Sequence, residues 1–287
     1  MLPSETLEFV FVHLSRDDLL SILTASSFFH HLAARLLYRT LVDVHPKRAL
    51  RLLKTLVRND FYPPLVRRFD LDWTDNILTA NFLRLLHRAL QRLRHLSYLG
   101  LEFSVIDNTA NFAWILQGCS FSLRVFTTSI RCEPLLARFL GTQPDLVEIC
   151  LRGLHPSPNL STRPSDNPCF PLAPDALPRL RHFRTVLASP DLTADFVRGR
   201  PVESVSLSLC PGDAASSLDA LLLSTRPLRR LTVMSFDADA PAALIASIAA
   251  RLPALEALHA VVLLQHSTHV RPPPLPRART ARADPAH

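Results

Sequence analysis

Charged and aromatic residues recur where repeated apolar segments would expose them on one face of a sheet. In a strand, the residues that alternate with the buried ones point to the opposite, open side. Arginines there could bind an acidic or phosphorylated peptide, because the planar guanidinium matches carboxylate and phosphate geometry. The alternative for each residue is an ordinary solvated position. The candidate substrate-binding residues are Arg68, Asp70, Tyr98, Glu148, Arg152, His182, Arg184 and Arg230.

Residue patterns typical of catalysis or metal binding are missing from the sequence. His266 and His269 have metal-ligand spacing but no cysteine or carboxylate beside them, and the five cysteines form no C-x-x-C pair. The six glycines occur in no nucleotide-binding or hydrolase motif. No nucleophile is spaced with a base. We therefore expect no catalytic residue, no metal, no cofactor and no enzymatic activity.

Composition favours a folded intracellular chain. Of the 287 residues, 48% are apolar, which is enough for a sizeable core. No apolar run approaches the length of a membrane span, and no basic region precedes the first apolar run. The net charge of +7 includes +3 from residues 271–287 and is spread out elsewhere. We expect no membrane contact, no nucleic acid, and a reducing cytoplasmic and/or nuclear location.

A short apolar pattern repeats along most of the chain. Each copy has three apolar residues. Two positions of any type separate the first from the second, and one position of any type separates the second from the third. Steps between copies are 30, 27, 23, 34, 22, 26 and 27 residues, close to the period of a leucine-rich repeat. Helical patterns lie between the copies, at Asn81–Leu90, Pro134–Leu140, Asp191–Val197, Ala214–Leu223 and Ala242–Ala250. The copies begin at Val66, Leu96, Leu123, Leu146, Leu180, Val202, Leu228 and Leu255.

The first 40 residues read as three short helices with too many apolar side chains for one buried face. Residues 7–14 are apolar except for Glu8 and His13, whereas a surface helix normally has one apolar stripe. Ser15 is suited to cap the second helix, and Ser26 and Ser27 are suited to cap the third. We expect the surplus apolar face to contact a partner or the next part of the chain.

The order and spacing of these residues resemble an F-box. The resemblance rests on Leu2-Pro3-x-Glu5, Asp18-Leu19-Leu20 and the closing residues 36–41, LLYRTL. It implies binding to the Skp adaptor, and through it cullin, of a ubiquitin ligase. The alternative is that these residues pack on residues 40–70. The implied adaptor-binding residues are Leu2, Pro3, Leu7, Val10, Leu14, Leu19 and Leu20.

Together these patterns predict an α-helical F-box of three short helices followed by an α/β leucine-rich-repeat solenoid, similar to fungal-type F-box/leucine-rich-repeat proteins. The predicted parts are an F-box (1–41), a helical linker (42–64), irregular repeats (65–264) with a Pro-rich excursion loop (155–178), and a disordered basic tail (265–287). The expected function is substrate recognition in a Skp–cullin–F-box ubiquitin ligase, with an unknown protein substrate. The alternative is a repeat scaffold outside the ubiquitin system whose N-terminal helices only cap the solenoid.

Overall fold

Helices and strands alternate along the chain in a computed structural model that describes residues 3–42, 46–104, 112–155, 170–209, 212–235 and 241–262. The helices are α1 (Ser4–Phe11), α2 (Arg16–Ile22), α3 (Ser27–Arg39), α4 (Pro46–Arg58), α5 (Ala80–Leu90), α6 (Pro134–Gly141), α7 (Pro190–Val197), α8 (Ala214–Leu221) and α9 (Pro241–Arg251). Short 3-10 helices span Pro63–Leu65 and Ala113–Leu116. The strands are β1 (Thr40–Leu41), β2 (Arg68–Trp73), β3 (Tyr98–Phe103), β4 (Val125–Thr128), β5 (Glu148–His155), β6 (His182–Ala188), β7 (Ser204–Leu209), β8 (Arg230–Ser235) and β9 (Ala257–Val262).

All strands of the described residues belong to one parallel sheet of nine strands, ordered β1 to β9 as in the sequence. Each strand therefore pairs with the strands before and after it in the sequence. Because the strands are parallel, each intervening segment brings the chain back to the end of the sheet where the strands begin. The expected helical F-box followed by a leucine-rich-repeat solenoid is wrong: the structure shows an α/β fold built on this sheet.

The sheet begins inside the segment that was assigned to the F-box. The third helix ends at Arg39, and Thr40 is already extended, with φ −131° and ψ 112°. Thr40 and Leu41 pair in parallel with Arg68 and Phe69. A strand of two residues is too short to give a period-two pattern in the sequence, so this junction between helices and sheet could not be predicted.

Rows of apolar side chains, one from each strand, explain why the strands stack in register. The row that starts at Leu41 runs across paired positions of the sheet and is buried from β1 to β8. The helices cover this side, with Leu53 of α4 and Leu86 of α5 in the same core. The members of the row are Leu41, Phe69, Leu99, Phe126, Ile149, Phe183, Val205 and Leu231.

The first three helices have a small core of their own. Phe11, Leu19, Leu32 and Leu37 bury their side chains together. As the sequence predicts, the side chains of Ser15 and Ser26 accept hydrogen bonds from N–H groups in the first turns of α2 and α3.

An aromatic contact joins these helices to the sheet. Tyr38 of α3 stacks on Tyr62, with ring centroids 4.2 Å apart, and the Tyr62 hydroxyl lies 3.3 Å from Nε2 of His30. The N–H of Arg67 donates to the carbonyl of Arg39. The third helix therefore packs beside the first strands of the sheet.

Part of the predicted excursion loop packs into the core. Residues 156–169 of that loop, and the predicted basic tail, lie outside the described residues. Phe170, Ala176 and Leu177 are buried, so the chain has returned to the core well before β6.

Candidate functional site

The eight predicted substrate-binding residues lie on the face of the sheet opposite the helices. Pairing places Arg68, Tyr98, Glu148, His182 and Arg230 in one row across the sheet. Asp70 and Arg184 occupy the row two residues further along, and Arg152 lies two residues beyond Cys150 of that row. Alternation along the strands gives all of them the same orientation.

The structure does not gather all eight residues at one point. Six strand spacings separate Arg68 on β2 from Arg230 on β8, roughly 29 Å at the usual distance between strands. Seven of the residues instead form two groups, one on β2 and β3 and the other on β5 and β6, and Arg230 lies apart from both on β8.

The first group joins a cation, an anion and an aromatic ring. The guanidinium carbon of Arg68 lies 3.8 Å from the ring centroid of Tyr98. The Tyr98 hydroxyl donates to the Asp70 carboxylate at 3.3 Å, and Arg68 lies 3.7 Å from the same carboxylate. Burial, followed by smaller contributions that include Asp70, raises the pKa of Tyr98, so the phenol stays a neutral donor at physiological pH.

Gly100 makes room for this first group. It pairs with Asp70 across β2 and β3. A Cβ atom at this position would lie 2.2 Å from one carboxylate oxygen of Asp70. The missing side chain therefore lets the Asp70 carboxylate lie over β3.

The second group consists of ion pairs around Cys150. Arg184 lies 3.7 Å from the Glu148 carboxylate, and Arg152 pairs with Glu102 of β3. Burial raises the pKa of Glu102, although Arg152 opposes the shift. Burial also raises the pKa of the Cys150 thiol, again against the nearby arginines. The thiol is therefore not activated as a nucleophile.

A shallow pocket of about 280 Å³ lies beside the second group. Glu148, His182 and Arg184 line one side, and hydroxyl groups line the other. Sequence reasoning named the charged residues but missed the hydroxyls, although they occupy the same alternating positions of β7 and β8. These hydroxyls belong to Ser204, Ser206 and Thr232.

The predicted adaptor-binding residues differ in exposure. Leu19 is buried in the small helical core, and Leu7 and Leu14 are half-buried against it. These three side chains therefore stabilise the packing of the helices against one another and are not free to contact a partner fully. Leu2 lies outside the described residues.

The exposed apolar side chains of α1, of the residue that follows it and of α2 are here called the helix surface: Phe9, Val10, Val12 and Leu20. Their exposed fractions are 71%, 48%, 62% and 47%. Pro3, also predicted to bind the adaptor, is exposed at the start of α1. Sequence reasoning noted the surplus of apolar residues in this helix but did not predict that Phe9 and Val12 would be its most exposed ones.

The described residues offer neither a metal site nor a membrane-spanning helix. They contain no group of three or more histidine, cysteine or acidic side chains arranged to hold a metal ion. His266 and His269 lie outside them. In the same part of the chain, no helix combines the length and apolar character needed to cross a membrane.

Comparison with family models and with curated proteins gave no match for this chain. Its function must therefore be inferred from the chemistry of its own surfaces.

Proposed function

We propose that this chain is the substrate-recognition subunit of a Skp–cullin–F-box ubiquitin ligase. Its helix surface would bind the Skp adaptor, and the open face of the sheet would bind a target protein. The chain itself would perform no chemistry. It would raise the effective concentration of the target near the ubiquitin-conjugating enzyme.

The observation that carries this proposal is the exposure of Phe9 and Val10 on α1 and of Val12 directly after it. Large apolar side chains this exposed in a cluster are typical of a protein-binding surface. The resemblance of residues 2–41 to F-boxes gives the partner its identity. Burying each side chain on binding would contribute roughly 1.5–3 kcal/mol.

The open sheet face supports the second half of the proposal. It presents arginines, carboxylates and an aromatic ring on strands that are fixed by pairing on both sides. A rigid, mixed-charge surface of this kind can recognise a polypeptide by complementary charge.

Co-purification with a Skp adaptor tests the adaptor contact. We expect wild type to retain the adaptor and Phe9→Asp/Val10→Asp to lose it, because two charges would have to be desolvated at the interface. The matched control is Ile77→Asp/Leu222→Asp, which adds two charges at exposed apolar positions elsewhere (84% and 52% exposed) and should retain the adaptor. Circular dichroism of all three proteins distinguishes lost binding from lost folding.

A second function is favoured by the contact between α3 and the first edge of the sheet. The stacked pair Tyr38–Tyr62 holds α3 beside the first strands of the sheet, and this supports a role of the helices as a cover, since unpaired edges promote aggregation. In this alternative the chain is an interaction scaffold outside the ubiquitin system, and its N-terminal helices act only as a cover. Folded wild type that fails to bind the adaptor would favour it.

A further inference from the structure

A groove of about 810 Å³ opens where β3 to β7 begin. Its volume lies in the range of small-molecule sites. Guanidinium groups dominate its lining, with a single carboxylate among the lining residues. The charged or titratable residues of the groove are Arg124, Asp145, Arg179, Arg181, His182 and Arg226.

Arg124 and Arg181 occupy equivalent, firmly held backbone positions directly before a strand. The Arg124 carbonyl accepts the N–H groups of Val147 and Glu148 at 2.9 and 3.1 Å. The Arg181 carbonyl accepts those of Glu203 and Ser204 at 2.9 and 3.0 Å. The bases of both side chains are thus fixed by the sheet before any ligand binds.

The other charges of the groove are already paired. Arg179 lies 2.7 Å from the Asp145 carboxylate, which also accepts a hydrogen bond from Ser122 at 3.0 Å. Arg226 lies 2.5 Å from Glu203. The negative charge of Asp145 is therefore balanced by Arg179, and its carboxylate repels an incoming anion only weakly.

Arg124 and Arg181 differ from these pairs. Both are exposed, and neither forms a direct ion pair in the described part of the chain, although the pKa of Glu203 is lowered by Arg226 and, to a smaller degree, by Arg181. Only Val147 separates them, so their Cα atoms are roughly 10 Å apart at the usual strand spacing. Both long side chains can reach one point above Val147, where an anion would relieve their mutual repulsion.

We infer that this groove binds a phosphoryl group between Arg124 and Arg181. A phosphoryl group carries close to two negative charges on three terminal oxygens, so it can balance two guanidinium groups and accept hydrogen bonds from both at once. His182 lines both this groove and the smaller pocket on the sheet face, which leaves room for the rest of the ligand. The phosphoryl group could belong to a free phosphate ester or to a phosphorylated side chain of another protein.

Calorimetric titration of the full chain at constant ionic strength tests this site. The probes are the phosphate monoester glycerol 3-phosphate, a phosphoserine peptide and the same peptide with serine. We expect saturable binding of at least one phosphorylated probe, and a loss of about tenfold or more in affinity for Arg124→Gln/Arg181→Gln. The matched control is Arg229→Gln, which changes the equivalent position before β8 but lies outside the groove and pairs with Glu256. It should bind within about twofold of wild type.

The outcomes separate the two sources of the phosphoryl group. Tighter binding of glycerol 3-phosphate indicates a free phosphate ester, and tighter binding of the phosphopeptide indicates a protein. Three results would overturn the inference. Neither phosphorylated probe binds, the unphosphorylated peptide binds as tightly as the phosphopeptide, or Arg229→Gln loses as much affinity as the double variant. If the double variant unfolds, the two single variants replace it. No adaptor is used, so the result is independent of the proposed ligase function.

Discussion

Gly100 shows how a single position controls the open sheet face. The side chains of Arg68, Asp70 and Tyr98 contact one another because the Asp70 carboxylate lies over Gly100. Any larger residue there would push the carboxylate away from the tyrosine hydroxyl.

We expect Gly100→Ala to destabilise the protein by about 1–3 kcal/mol, because the added methyl group overlaps the Asp70 carboxylate. Urea denaturation measures this change. The control is Gly141→Ala at the end of α6, where no atom lies within 4 Å of the added methyl group. Equal stability of the two variants would show that the Asp70 carboxylate moves aside at no cost.

Two half-buried cysteines provide a second test at the residue scale. Burial raises the pKa of Cys119 to about 12 and also raises that of Cys132. Because the thiolate is the reactive form, the reactive fraction of Cys119 at pH 8 should be about a thousandfold lower than for a thiol of pKa 9.0. Iodoacetamide labelling followed by peptide mapping should therefore modify Cys119 and Cys132 slowly in the native protein and rapidly in urea. Equal rates in both conditions would contradict their burial.

At the scale of elements, one buried arginine fixes the segment that precedes β6. Arg200 is only 2% exposed, and its guanidinium donates to the carbonyls of Ala176 at 2.7 Å and Ala173 at 2.9 Å. It also donates to the carbonyls of Asp195 and Arg198. Burial lowers the pKa of Arg200, against the nearby aspartates, but the group stays charged at neutral pH. The arginine thus ties residues 173–176 to the end of α7.

Replacing Arg200 with methionine should destabilise the protein by about 3 kcal/mol or more, because buried carbonyls lose their donors. Hydrogen exchange should increase most in residues 170–180. Arg198→Met, an exposed neighbour, should change stability by less than about 0.5 kcal/mol. Uniformly faster exchange along the chain would contradict a local role for Arg200.

The success of sequence reasoning depended on the length of each element. Helices such as α5 (Ala80–Leu90) and α7 (Pro190–Val197) lie within a residue of their predicted bounds because several turns of periodicity mark them. The two residues of β1 leave no such pattern. The packing of Phe170 and Leu177 was missed because prolines dominate the surrounding sequence, and the donor that holds this segment, Arg200, is 23 residues further along the chain than Leu177.

At the scale of the whole molecule, alternation along parallel strands was enough to place Arg68, Tyr98 and Arg230 on one face. Alternation could not show that the residues on this face lie in separate groups. The distance between two residues depends on how many strands separate them in the folded sheet. The groove at Arg124 and Arg181 also escaped prediction, since it combines residues from several turns that no local pattern connects.

The described residues present two kinds of surface. The helix surface near the N-terminus is apolar, and the open face of the sheet is charged. This division of surfaces is what a substrate-recognition subunit requires, since the adaptor and the target must bind at the same time without competing. It predicts that target binding at the sheet face leaves adaptor affinity unchanged.

The most direct test of the proposed function is the dissociation constant of the purified full chain for a purified Skp adaptor, measured by calorimetry. We predict saturable one-to-one binding of wild type, and a loss of at least about a hundredfold in Phe9→Asp/Val10→Asp. Wild-type protein that is folded by circular dichroism and yet shows no heat of binding would contradict the ligase function. The helix surface would then need another partner.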